Sequence, residues 1–403
     1  MNVCIVSQCF YPDAFRINDI AFQLCAQGHR VKVITGLPDY DAGRIPDAYR
    51  FLRKRREVVR GVDILRLPIL ARGRGAPRRL LHYASFALVG WVYACFARRG
   101  ADVVLTYQTS PVSQALPAVR LARRNRCPHI LYCLDLWPES VKVWGMREDS
   151  AVFRAVRRVS RFLYRAADIV AVTSRPFAAY LRQVTDVPPE SIVYLPQACE
   201  PLLEPVACQY DENGVTDFLF AGNVGAAQDV GCLLRAAARL RERGGFHVHI
   251  VGDGSALPAV RAQCEALGLS SCVTFYGRKP PQEMPAFYRL ADACVLTLSG
   301  DSFVGQTLPG KLQSYMSAGK PIVAATDGAA REVLADADCG LCGPASDDEA
   351  LARHMARVIA EPDQARKAGA RAFAYYQQHF REAVFLQRLC DLMQTTKGGN
   401  EHV

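Results

Sequence analysis

Short apolar, β-branched runs alternate with segments of helical period along the whole chain, which is the pattern of parallel βαβ units. In the first half, strands are expected at 3–7, 31–35, 62–67, 103–106, 130–133, 169–173 and 192–195, with helices such as 17–27 and 176–184 between them. The pattern breaks at 196–217, where PQACEPLLEPVACQYDENGVTD carries turn chemistry without periodicity. It restarts with strands at 218–221, 248–251, 273–276, 293–298 and 322–324, and helical segments run on from Asp347 to a last helix near 381–394. The expected fold is α/β: two Rossmann-like, doubly wound domains facing a cleft. The first spans 1–196 and the second 218–375, with a linker at 197–217; residues 376–403 form a C-terminal helix packing back toward the first domain, then a tail.

Charge changes the picture by being uneven. Residues 1–200 hold 30 Lys and Arg against 16 Asp and Glu, a net +14, which leaves −4 for the rest of a chain whose total is +10. The first half is therefore where an anionic surface or ligand would be met. Arginines 154, 157, 158, 161 and 165 fall on one helical face opposite Val152, Val156, Val159 and Leu163. Such a stripe is either a solvated face or, with Arg53 to Arg56 and Arg72, Arg74, Arg78 and Arg79, a patch for lipid headgroups. Nucleic acid is disfavoured because stacking aromatics are not interleaved. The stretch 80–97 is marginal for a bilayer crossing and reads as a core helix, with partial interfacial insertion, Tyr83 or Trp91 as anchor, the alternative. MNVCIVSQCF reads as a first buried strand rather than a secretory leader, and the 15 dispersed cysteines as reduced thiols in a cytoplasmic protein, including the pair Cys339 and Cys342.

Candidate chemistry gathers at strand ends. The strand FLFAG runs into Gly222, Asn223, Gly225 and Gln228, and a second strand into Gly252 and Gly254. Glycine turns before helices either hold a phosphate on backbone N–H groups or are plain tight turns. Neither has dinucleotide-fingerprint spacing, which argues against a dehydrogenase. Gln306, Thr307 and Lys311 precede another helix, where Lys311 either neutralises a diphosphate or is solvated. Asp135, beside Trp137 at the end of HILYCL, either contacts a sugar hydroxyl, works as an acid or base, or caps the next helix. No Asp-x-Asp or His/Cys ligand cluster stands at a strand end.

These segments together, from SQCFYPDAFRINDIAFQLCAQGHRVKVITGLPDY through LDLWPES and AGNVGAAQDV to TLPGKLQSYMSAGKPIVA, resemble the retaining family-4 glycosyltransferases of the GT-B fold. The resemblance is to the bacterial branch that builds capsule, O-antigen and other exopolysaccharides, including transferases of N-acetylfucosamine type. It implies a metal-independent enzyme without cofactor, a nucleotide-sugar donor (UDP-linked) bound by the second domain, and a lipid-linked saccharide acceptor met by the first. The implied location is the inner face of the cytoplasmic membrane, held peripherally on its anionic surface through Arg154, Arg157, Arg158, Arg161 and Arg165. By position, Gly222, Asn223, Gly225, Gln228, Gly252, Gly254, Arg278, Gln306, Thr307 and Lys311 would bind donor. Arg16, Asn18 and Glu139 would lie on the acceptor side, and Asp135 and Lys311 would be catalytic. Asn223 and Gln228 replace an Arg and a Lys of many members, and Gln306 and Ser314 replace an acidic pair, so a non-catalytic sugar- or nucleotide-sugar-binding protein of the same fold is the alternative.

Overall fold

The computed structural model describes residues 1–40, 44–73, 75–199, 214–300 and 306–399; the linker residues 200–213, Arg74, Gly305 and the last four residues fall outside these. Runs of Val, Ile and Leu supply the strands, and polar segments of helical period the helices between them. In chain order the first unit has β1 (Asn2–Val6), α1 (Arg16–Ala26), β2 (Arg30–Thr35), β3 (Arg56–Val59), β4 (Val62–Arg66), α2 (Ala76–Phe96), β5 (Val103–Gln108) and α3 (Leu116–Asn125). It continues through β6 (His129–Cys133), α4 (Ala151–Arg165), β7 (Ile169–Val172), α5 (Arg175–Val184) and β8 (Ile192–Tyr194). The sheet order is β3-β4-β2-β1-β5-β6-β7-β8, parallel except for the β3–β4 pair.

The second unit has β9 (Thr216–Ala221), α6 (Val230–Leu240), β10 (Phe246–Val251), α7 (Leu257–Ala266), β11 (Val273–Gly277), α8 (Met284–Leu290) and β12 (Ala293–Thr297). Then come α9 (Gly310–Ser317), β13 (Ile322–Ala325), α10 (Ala329–Ala337), β14 (Gly340–Gly343), α11 (Asp348–Ala360) and α12 (Pro362–His379), followed by α13 (Glu382–Gly399). Its sheet, β11-β10-β9-β12-β13-β14, is wholly parallel. Strand order reverses at β1 in one sheet and at β9 in the other, and crevices open beyond the carboxyl ends of strands at such points. The units divide after Leu195 and again after Phe385, inside α13 rather than at 376. The reason is packing: Tyr376 and Phe380 are buried in the second unit's core, and the Cys199 amide donates to the Phe380 carbonyl over 2.9 Å.

Two helices differ from expectation in which face they bury. On α4, Phe153, Ser160, Leu163 and Tyr164 are buried, while Val152, Val159 and Phe162 are exposed among the arginines. Ser160 can go inside because its hydroxyl donates to the Val156 carbonyl. On α2, which covers the stretch 80–97, Phe86, Ala87 and Ala94 are buried and Gly90 admits Pro117 of α3, since a Cβ there would lie 2.8 Å from its ring. The opposite side exposes Leu80, Leu81, Leu88, Trp91, Val92 and Phe96. Tyr83 is buried and so is no interfacial anchor. Among the described residues no helix is long and apolar enough to cross a membrane.

The sequence pattern missed β3, a short strand of alternating polarity, and β4 carries its partner. Arg66 at the end of β4 is wholly buried: it pairs with Glu57 at 2.6 Å, donates to the carbonyls of Lys54 and Tyr11, and stacks its guanidinium 4.7 Å from the Tyr49 ring. Removing one member of a buried ion pair leaves an uncompensated charge. Arg66→Met should therefore cost about 3 kcal/mol of stability, read by urea unfolding, by stranding Glu57 and releasing the β3 hairpin.

Candidate functional site

At the carboxyl edge of the second sheet, three strand-end turns lie on top of one another. Gly222 donates its amide to the Val251 carbonyl and Gly252 to the Gly277 carbonyl, each over 2.9 Å. A Cβ on Gly252 would fall 1.8 Å from the Gly222 carbonyl oxygen, and one on Gly254 would fall 2.3 Å from that of Val224. Gly222 and Gly252 also have φ of 142° and 151°, so both positions exclude side chains by conformation as well as by space. Gln228 closes the first loop, its Oε1 accepting from Asn223 Nδ2 and the Gly225 amide, and Asp229 caps α6 through the Cys232 amide. Arg278, following β11, is exposed at the same edge.

β9 and β12 pair only at Phe218 and Leu219, then part. Beyond that point the Tyr315 hydroxyl of α9 accepts from the Ala221 amide and donates to its carbonyl, which pins the start of α9 beside the Gly222 turn. Lys311, in the first turn of α9, is carried into the gap: its Cε lies 3.2 Å from where a Gly222 Cβ would stand. Its ammonium is buried with no hydrogen-bond partner among the described residues. Its neighbour is the Phe220 ring, 3.9 Å from Nζ to the centroid, a cation–π contact that only partly offsets the lost water. Burial pulls its pKa down to about 7. The solvated-lysine alternative is thereby removed. Gln306 and Thr307 lie half-buried a few residues before this helix.

The carboxyl edge of the first sheet is built differently. Asp135 accepts from Ser110 Oγ and Trp137 Nε1 at Oδ2, the latter over 3.2 Å, and from Ser140 Oγ at Oδ1. It does not cap the following helical turn, Glu139–Trp144, which starts without a side-chain cap. Asn18 is buried, accepting from the Tyr11 amide and donating to the Asp13 carbonyl. Glu139 accepts from the Tyr180 hydroxyl over 2.6 Å and pairs with Lys142. Arg16 is half-buried near Tyr107 and Tyr132, close to the ends of β5 and β6. Asn18 and Glu139 are thus spent on holding loops in place. The partners Ser110, Tyr180 and Tyr315 carried no sequence signal, because each acts on a residue far from it along the chain.

Among the described residues no group of His, Cys, Asp and Glu is arranged to hold a metal ion. Fourteen described cysteines are free thiols, and burial pushes Cys339 up to about 12 and Cys342 in the same direction, against a redox role for that pair.

Two family models match: Glycosyl transferase 4-like domain over residues 14–198 and Glycosyl transferases group 1 over residues 216–361. The probable glycosyltransferase WbjE of Pseudomonas aeruginosa is 30% identical, the match covering 72% of this chain and 74% of that one. The putative colanic acid biosynthesis glycosyl transferase WcaI of Escherichia coli is 23% identical over 73% and 75%. The structure of Anabaena Alr3699/HepE in complex with UDP shares the fold, with a TM-score of 0.71, 14% identity and coverage of 98% and 100%.

A depressed lysine pKa means that the folded state binds fewer protons than the unfolded state between about 7 and 10.5. The penalty for burying Lys311 is therefore complete below pH 7 and fades as pH rises toward 10.5. Lys311→Met should raise stability by roughly 2–4 kcal/mol at pH 6.5 and by clearly less at pH 9.5, measured by urea unfolding at both values.

Proposed function

Since the chain belongs to the glycosyltransferases that join a 4-like domain to a group 1 domain on the GT-B fold, we propose that it moves a sugar from a UDP-sugar to a lipid-linked saccharide, with retention, in bacterial surface polysaccharide synthesis. The observation that carries the donor side is Lys311: a buried ammonium without a counter-ion among the described residues, at a helix start against the Gly222 turn, is completed by an anion such as a diphosphate. The UDP held by the Anabaena protein of the same fold supports the choice of nucleotide, and the WcaI likeness supports the pathway. An acetamido or deoxy sugar follows from the resemblance to N-acetylfucosamine-type transferases.

In this reading Lys311 donates to the diphosphate, with Arg278, Asn223, Gln228, Gln306 and Thr307 completing the donor site; the amides of Gly222, Gly225 and Gly252 are engaged by Val251, Gln228 and Gly277, so these glycines and Gly254 serve by keeping the turns free of side chains. Charge builds on the diphosphate as the glycosidic bond breaks, and fixed donors in a dry site stabilise it without reorganising. Asp135 takes part as an ordered carboxylate of the acceptor-binding domain, with Arg16, Asn18 and Glu139 on the acceptor side. No side chain is assigned as nucleophile, so no covalent intermediate is proposed, and transfer is taken to need no metal. The enzyme would sit on the inner face of the cytoplasmic membrane through Arg154, Arg157, Arg158, Arg161 and Arg165, all exposed. A second reading, a binding protein without turnover, draws on Gln306 and Ser314 standing where many members carry carboxylates.

A screen of labelled UDP-, GDP- and dTDP-sugars tests the proposal: transfer or hydrolysis of a UDP-sugar is expected, and binding without either would establish the second reading. Lys311→Ala should fold and lose about 2–4 kcal/mol of transition-state stabilisation, a rate drop of roughly 10²–10³. Activity should persist in EDTA. Because free Lys311 titrates near pH 7 and a bound diphosphate would hold it charged, UDP binding at pH 8.5 should take up close to one proton. Calorimetry in buffers of different ionisation enthalpy reads this, and the uptake should vanish in Lys311→Ala.

A further inference from the structure

The carboxyl-terminal ends of α3 and α4 enclose a pocket of about 340 Å³ lined by Arg123, Arg158, Arg161, Arg165, Phe162 and Ala166. Four of its six lining residues carry a guanidinium. Arg161 pairs with Asp186, while Arg123, Arg158 and Arg165 have no ion-pair partner among the described residues. Arg123 and Arg165 lie in the last turns of their helices, where the helix dipole favours a cation. That accounts for two of them but not for Arg158, nor for four converging on one cavity, where mutual repulsion opposes the arrangement unless an anion fills it. Phe162, half exposed, adds an apolar wall.

The pocket is remote from the chemistry. α3 leads into the start of β6 and α4 into the start of β7, so it lies by the amino edge of the sheet, whereas Asp135 follows the carboxyl end of β6. A five-residue strand separates the two edges by roughly 16 Å. The volume is at the small end of ligand pockets, suited to a phosphorylated headgroup rather than to a nucleotide sugar.

We propose that the α3–α4 pocket is a second anion site that binds a phosphate group through Arg123, Arg158, Arg161 and Arg165, separate from the donor site. Guanidinium forks match phosphate oxygens bidentately. A phospholipid headgroup or a free phosphorylated molecule would present the same chemistry. The site goes beyond the general basic stripe because it names Arg123, which is on another helix, and leaves out Arg154 and Arg157, which do not line it.

The test compares the full chain, Arg123→Gln/Arg158→Gln, and the charge-matched Arg30→Gln/Arg182→Gln, exposed and outside both the pocket and the α4 stripe, all in a Lys311→Ala background that silences the donor-site lysine. Inorganic pyrophosphate by calorimetry reads a free ligand. Co-sedimentation with vesicles of phosphatidylglycerol in phosphatidylcholine, against phosphatidylcholine alone, reads a headgroup. The pocket pair should lose at least tenfold in affinity in one or both assays while the matched pair stays within about twofold; which assay responds identifies the source. Arg165→Gln, an exposed helix-end change, should show the same direction if the double variant melts early. Equal losses in the two pairs, or no binding of either probe by the full chain, would overturn the site. Neither assay measures sugar transfer, so its outcome is separable from that of the donor reading.

Discussion

The carboxyl edge of the second sheet depends on how closely two backbone turns approach at Gly222 and Gly252. With 1.8 Å between a would-be Cβ of Gly252 and the Gly222 carbonyl oxygen, any side chain there would push the ends of β9 and β10 apart. Their contact is what lets the Val224 amide reach the Asp253 carbonyl, over 2.9 Å, and the Ala256 amide reach Val224 in return. Those bonds fix the loop that Gln228 and Asp229 close, and the Lys311 side chain lies against Gly222 at its start. A lysine in such a place is costly because a desolvated charge needs a partner. The Phe220 face supplies a fraction of that, and the remainder is available to an arriving anion.

The two sheets treat their polar edge groups differently. In the first unit, Asn18, Asp135 and Glu139 are each engaged by neighbours within the same unit. Such networks order the edge and leave few free donors or acceptors on it. In the second unit the turn amides of Gly222, Gly225 and Gly252 are engaged too, but the Lys311 ammonium has no hydrogen-bond partner among the described residues, which suits a ligand that brings negative charge.

Most of the architecture was legible because parallel strands buried on both faces read as continuous apolar runs. The two strands that escaped are the ones without such a run: β3, REVV, on the sheet edge, and β14, GLCG. The buried face of α4 was misassigned for a related reason. Its inner row contains Ser160, which hides its hydroxyl by bonding to its own helix, while Val152 and Val159 stay outside. The glycine turns and Lys311 were legible as a set. The burial of Lys311 was not, since it rests on Phe220 and Gly222, some ninety residues earlier, and on Tyr315 serving Ala221 where β9 and β12 part.

The cations of this protein fall into three physical states, and each sets what can bind. Arg66 is buried and paired, so it is spent on the fold. The Lys311 ammonium is buried and without a hydrogen-bond partner among the described residues, so its charge depends on pH, and an anion that binds it must bring a proton along at alkaline pH. The arginines between α3 and α4 are exposed and, except for Arg161, lack ion-pair partners among the described residues. A guanidinium stays charged at every working pH, so an anion there competes with salt rather than with protonation. If phosphate binds at both places as proposed, binding at Lys311 is tuned by protons and binding between α3 and α4 by ionic strength, a difference that follows from burial and side-chain chemistry.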